Sequence, residues 1–79
     1  MLSDYINAAM RHAEYKQFDD GTIYADIPEL RGVWANEQTR DATEGELRSA
    51  LEDWVRFRLA HHRPIPAIDG IAVEATVAR

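Results

Sequence analysis

The stretch ADIPELRGVWANEQTRDATEGELRSAL, residues 25–51, decides the fold because it joins a strand end, a tight loop, a second strand and a helix start. Pro28 cannot donate a hydrogen bond to a sheet, so the strand before it ends there. Gly32 permits the turn into the short strand VWANE. Thr43 and Glu46 have the spacing of a capping box, which predicts that a long helix begins at Thr43.

The sequence on either side of this stretch predicts the remaining elements. AEYKQF-DDG-TIYADI alternates apolar and polar residues around an Asp-Gly turn, which indicates a β-hairpin. Residues 1–12 repeat apolar side chains at helical spacing. IAVEATV, residues 71–77, predicts a last strand. The long helix has a wide apolar face, with Trp54 expected to bury against the sheet; this face comprises Leu47, Ala50, Leu51, Trp54, Val55 and Leu59.

The order helix, three strands, helix, strand predicts an α+β fold in a single domain, residues 1–79. We expect an N-terminal helix (1–12) and a two-layer β-β-β-α-β core (13–77), with a mixed four-stranded sheet and the long helix on one face. Tyr24 and Trp34, with Tyr15 or Phe18, then lie on the other face, open to solvent, the first helix or a second subunit.

Composition narrows the function. The chain has 79 residues, no cysteine and a formal net charge of −5, so its core depends on packing alone. An acidic surface repels phosphate backbones, which disfavours direct nucleic-acid binding and favours a basic protein partner. No apolar run reaches the length of a membrane span, so we expect no association with a membrane. The sequence predicts a cytoplasmic protein.

The titratable residues do not predict an active site. Most carboxylates have a turn, cap or solvated helix face as their structural explanation, and only Asp26 lies in the middle of a strand. His61 and His62 are adjacent on a helix and point about 100° apart, which does not suit one metal ion. We therefore expect no catalytic residues, no metal and no cofactor, and hence no enzyme.

The ordered set of motifs resembles the HicB-like antitoxin family, in particular short members without the C-terminal DNA-binding module. The resemblance rests on Pro28-x-Leu30-x-Gly32, the capped helix at Thr43 and Glu46, and PIP at residues 64–66. It implies a fold similar to part of RNase H and a partner, HicA, that is a small basic mRNA-cleaving toxin. Arg31 stands where many members have a second proline, and without the DNA-binding module no autoregulation through DNA is expected.

We expect a non-catalytic HicB-like binding protein that occludes such a toxin and assembles with itself as a dimer or higher homo-oligomer. The expected interface residues are Ile6, Met10, Tyr24 and Trp34, because the short first helix and the open sheet face both need cover. One alternative is an orphan oligomeric structural or ligand-sensing module with no toxin. A weaker alternative is a nuclease remnant.

Overall fold

The computed structural model describes residues 2–73, and its elements follow the predicted order as far as the second helix. The elements are α1 (Leu2–Arg11), β1 (Glu14–Gln17), β2 (Ile23–Asp26), β3 (Trp34–Glu37) and α2 (Arg40–Ala60). The strands form one antiparallel sheet with β2 in the centre, and α2 packs on β2 and β3. Neither helix of this region is long and apolar enough to cross a membrane.

The α+β class is confirmed, but the described residues contain three antiparallel strands where the sequence predicts a mixed sheet of four. Ile71, at the start of the predicted last strand, instead folds back on Ile68 through two backbone hydrogen bonds of 2.8 and 3.0 Å. Asp69 and Gly70 between them both have positive φ. This tight turn uses the backbone groups of Ile71 locally, so they do not pair with β1, β2 or β3. Positions 74–77 of the predicted strand lie outside the described residues.

The predicted start of α2 is also wrong. The helix begins at Arg40, and its N-cap is Thr39, whose hydroxyl accepts a hydrogen bond from the Ala42 amide at 3.1 Å. Thr43 and Glu46 therefore lie inside the helix and form no capping box. Thr39 satisfies one of the free amides at the helix start, and Asp41 in the first turn suits the positive end of the helix dipole.

Thr43 connects the sheet to α2. Its side chain is fully buried. Its single O–H is shared between the carbonyls of Ile23 (2.9 Å) and Thr39 (2.8 Å), and its oxygen accepts from the Glu37 amide (3.2 Å). Ile23 and Glu37 are partners at the end of the β2–β3 ladder. One hydroxyl group thus joins both strands to the first turn of the helix.

The core lies between α2 and the sheet. Leu47, Leu51 and Val55 are buried on one side of α2, as the apolar periodicity predicts. Ala25 and Ala35 are buried cross-strand partners in the facing strands, and their small side chains let the helix approach the sheet closely. Burial of this kind is the main source of stability in a chain of this size.

Trp54 packs against the core, but it is less buried than the sequence predicts. It is half-buried, its indole nitrogen approaches Gly32, and the Arg58 guanidinium lies 4.6 Å from its ring centre. Gly32 has a φ of +95°, a conformation that side-chain-bearing residues rarely adopt. Leu30, in the same loop, is buried in the core. The Pro28-x-Leu30-x-Gly32 motif therefore has a structural role, since it anchors the loop against the core and α2.

A histidine holds α1 to the rest of the chain. His12 Nδ1 is 2.7 Å from a Glu29 carboxylate oxygen, and His12 Nε2 is 2.8 Å from an Asp69 carboxylate oxygen. Arg11 also approaches Asp69, at 3.8 Å. Hydrogen bonds donated by the ring to the Asp69 and Glu29 carboxylates raise the pKa of His12 above its usual 6.5, and the hydrogen bond accepted from His12 lowers the pKa of Glu29 below its usual 4.5. Both ring nitrogens donate when the ring is protonated.

We predict that Thr43→Val lowers the free energy of unfolding by about 1–3 kcal/mol, because it keeps the shape of the side chain but removes the buried hydroxyl that bonds backbone groups of β2, β3 and the helix start. Thr43→Ser is the matched control, since it keeps the hydroxyl and loses only a methyl group, and it should cost less. Urea denaturation followed by circular dichroism measures both. Equal stability of Thr43→Val and the unmodified chain would contradict the role assigned to the hydroxyl.

We predict that the His12 contacts stabilise the fold most between pH 4.5 and pH 6.5, the usual pKa values of Glu29 and His12. Because folding raises the pKa of His12, its contacts stabilise the fold below pH 6.5, and this stabilisation is lost as the pH rises through the folded-state pKa of His12. Because folding lowers the pKa of Glu29, its contact with His12 stabilises the fold above pH 4.5, and this stabilisation is lost as the pH falls through the folded-state pKa of Glu29.

Melting temperatures measured from well below pH 4.5 to well above pH 6.5 should fall towards both ends in the unmodified chain, and fall less in His12→Gln. His61→Gln is the control, because His61 is exposed at the end of α2 and contacts neither carboxylate. If His12→Gln and the unmodified chain have parallel profiles, His12 does not hold α1 in this way.

Candidate protein-binding face

The face of the sheet opposite α2, which we call the open face, is defined by the strand register. Lys16 is paired with Tyr24 across β1 and β2, and Asp26 with Trp34 across β2 and β3. Cross-strand partners share a face, and side chains alternate along each strand. The open face therefore carries Glu14, Lys16, Tyr24, Asp26, Trp34 and Asn36.

Three aromatic rings stack across the open face. Phe18, just after β1, lies 5.3 Å from Tyr24, and Tyr24 lies 6.2 Å from Trp34, measured between ring centres, with interplanar angles of 13° and 23°. Trp34 is 56% exposed and Phe18 is 39% exposed. Aromatic rings lose little conformational entropy when a partner covers them, so a stack of this kind is well suited to binding another protein.

Charged groups of both signs border the aromatic stack. Asp26 accepts a hydrogen bond of 3.3 Å from the Tyr24 hydroxyl, Glu14 is its partner on β1, and Lys16 is exposed beside them. Partial burial, followed by the negative charge of Asp26, raises the pKa of Tyr24 above its usual 10.0. The phenol therefore remains a hydrogen-bond donor at neutral pH.

The structure separates the four residues predicted to form an interface. Tyr24 and Trp34 lie together on the open face, as the alternation predicts. Ile6 is 3% exposed and Met10 is half-buried, and both pack on the chain's own core. The single chain already covers these two side chains, so α1 does not need a second subunit for that purpose. α1 does not cover Trp34 either, because Trp34 remains exposed.

Register decides between Tyr15 and Phe18, which the sequence left open. Tyr15 lies on the α2 side of the sheet, where the Arg40 guanidinium stacks 3.8 Å from its ring centre. Phe18 completes the aromatic stack because the Asp20–Gly21 turn brings it beside Tyr24: its amide bonds to the Thr22 carbonyl at 2.9 Å. Lys16 also belongs to this face and was not predicted there, although its alternation with Tyr15 is a sufficient signal.

The open face brings few catalytic groups together. Glu14 and Asp26 are cross-strand partners, whereas two-metal phosphoryl transfer needs several carboxylates around the ions. Across residues 2–73, no three side chains of His, Asp or Glu are grouped so that they could hold a metal ion. The arrangement offers an aromatic surface with a charged border.

Comparison with known proteins gives the chain a family. A family model described as UPF0150-like matches residues 4–66, which is most of the chain. The chain belongs to the UPF0150-like family. None of the curated proteins matches it.

A solved structure shows the same fold as this UPF0150-like chain. The crystal structure of TTHA0281 from Thermus thermophilus superposes with a TM-score of 0.87 at 35% sequence identity. The match covers 92% of this chain and 91% of that chain, so the two proteins share nearly their whole length. The α+β architecture of this UPF0150-like chain therefore has a close counterpart in a solved structure.

Proposed function

We propose that this chain is a non-catalytic binding protein that assembles with itself through the open face. The observation that carries the proposal is the stack of Phe18, Tyr24 and Trp34, with Trp34 more than half exposed on a small domain. Exposed aromatic clusters on small domains mark interaction sites, and a large buried aromatic is the commonest kind of binding anchor.

A second copy of the chain fits this face because its charges are self-complementary. Lys16 and the pair Glu14 and Asp26 lie on the same surface. A two-fold axis through the open face brings the lysine of one copy towards the acids of the other, while the aromatic rings meet at the centre. Two-fold dimers use one patch on both subunits, and charges of both signs allow such a patch to complement itself.

We further propose that the assembled protein is a HicB-like antitoxin whose partner is a small basic RNA-cleaving toxin of the HicA type. Support comes from the resemblance carried by Pro28, Leu30 and Gly32, and from the net charge of −5. An acidic protein attracts a basic, RNA-binding surface over long range and covers it by contact, which blocks RNA without any chemistry. Such a partner, which acts on mRNA, places the complex in the cytoplasm.

The toxin proposal is tested with a small basic protein whose reading frame adjoins that of this chain. We expect its RNA cleavage to stop when an equal amount of the purified chain is added, and the inhibition to weaken at high salt because screening reduces charge attraction. The control is the same titration with bovine serum albumin, which is acidic but unrelated. Absence of an adjoining reading frame for a small basic protein, or cleavage that continues with excess chain, would remove the antitoxin role.

The second candidate is an orphan structural or ligand-sensing oligomer of the same fold with no toxin partner. The self-complementary charges of the open face favour it as strongly as they favour the first candidate, since both assemble. The two differ only in the basic partner, so the cleavage titration separates them.

We predict that Trp34→Ala weakens self-association by about 2 kcal/mol or more, as removal of a buried aromatic anchor does. Phe57→Ala is the matched control: Phe57 is 54% exposed, but it lies on α2, away from the open face. Sedimentation equilibrium over a range of concentrations measures both. A folded monomer for the unmodified chain at micromolar concentration would exclude the assembly, and equal effects of the two variants would move the interface elsewhere.

A further inference from the structure

The outer edge of β3 has backbone groups that no described strand pairs. The Ile27 amide bonds to the Val33 carbonyl at 3.4 Å, and bonded and non-bonded pairs alternate along an antiparallel ladder. Ala35 therefore faces β2 with its backbone groups, whereas Trp34 and Asn36 turn theirs outward. β3 is the last strand in the order β1-β2-β3, so within residues 2–73 this edge is available to another extended chain.

A groove runs along this edge, between β3 and one flank of α2. It is bordered by three acids, Glu37 from β3 and Glu46 and Asp53 from α2, and no basic side chain lines it among the residues that the structure describes. Asp53 has an exposed ion pair with Arg56 at 2.8 Å. Glu37 and Glu46 form no ion pair with any residue in the range 2–73. The groove thus combines unpaired main-chain groups with uncompensated negative charge.

We propose that the β3 edge binds an extended basic segment of a partner protein, which adds to the sheet as a fourth strand beside β3. This inference builds on the proposed function, because it says which part of the chain receives the basic partner. Main-chain hydrogen bonds to Trp34 and Asn36 hold the segment, and alternate side chains of an added strand point towards α2. Lysine or arginine at every second position therefore meets Glu46 and Asp53.

A second copy of this chain does not suit the β3 edge. If β3 paired with β3 of another copy, the acids Glu37, Glu46 and Asp53 of both copies would come together, and like charges across an interface oppose association. The open face has charges of both signs and suits self-association. The charged side chains along the β3 edge are all acidic and suit a basic partner. The open face therefore serves self-association, and the β3 edge binds the basic partner.

The proposal is tested with two synthetic peptides of identical composition, added to the full chain and followed by amide chemical shifts. In TKVKVRVKT the basic residues alternate, and in TVVKKRKVT they are adjacent. We expect the alternating peptide to bind more tightly and to shift the amides of residues 34–37. Methylation of alternate backbone nitrogens of the alternating peptide, on its hydrogen-bonding side, should abolish binding, because an added strand needs its amides.

Two charge reversals on α2 provide the matched control. Glu46, changed in Glu46→Lys, lies beside the β3 edge. Glu52, changed in Glu52→Lys, lies on the opposite flank of α2, near Leu2 and Ile6 of α1. Both variants change the net charge equally, so a difference between them reports the position of the charge. We expect Glu46→Lys to weaken binding of the alternating peptide by about tenfold and Glu52→Lys by no more than about threefold. Equal effects, or shifts confined to β1 and β2 of the open face and absent from residues 34–37, would overturn the proposal.

The same two variants separate this inference from the proposed function. If the unmodified chain inhibits the adjoining basic protein and both variants inhibit it equally, the β3 edge is not its site, although the antitoxin role stands. The alternating peptide could instead bind at residues 34–37 and be weakened by Glu46→Lys more than by Glu52→Lys, while the chain fails to inhibit RNA cleavage by the adjoining basic protein. In that case the β3 edge binds basic segments and the antitoxin role fails.

Discussion

The fully buried hydroxyl of Thr43 is the contact on which the arrangement of this chain depends. It joins the carbonyl of Ile23 in β2, the amide of Glu37 in β3 and the carbonyl of Thr39 at the helix start. A buried hydroxyl with three backbone partners is costly to leave unsatisfied, so it permits little freedom in how α2 meets the sheet. Because α2 is placed on one side in this way, the opposite face of the sheet remains open.

The position of α2 also defines the second surface. One flank of the helix packs on α1, and the other borders the free edge of β3. Glu46 and Asp53 lie on that second flank because they are seven residues apart, which is close to two helical turns. The fold thus presents two distinct surfaces, an aromatic face with mixed charge and an acidic strand edge, and each is a direct result of where one helix lies.

Local sequence signals predicted most of the fold. The alternation around Asp20 and Gly21 identified the hairpin, and the same alternation placed Tyr24 and Trp34 on one face of the sheet. The apolar spacing of Leu47, Leu51 and Val55 identified the buried side of α2. These features depend on neighbours within a few residues, and periodicity reports them well.

Features set by long-range contacts were not predicted. Thr39 and Thr43 are both suitable caps in isolation, and only the contact of Thr43 with Ile23 and Glu37 explains why the helix begins at the earlier threonine. The α1 contacts that bury Ile6 join residues far apart in the sequence. The acidic groove was missed for the same reason, since it needs the register of β3 and the rotation of α2 together.

The fluorescence of Trp34 itself reports whether this residue anchors self-association. A Trp54→Phe variant leaves Trp34 as the only tryptophan of the chain. We expect its emission maximum to move to shorter wavelength as the protein concentration rises and the chains associate, because a second copy removes water from the ring. Association without any change in the emission of Trp34, or no association at all, would contradict the account.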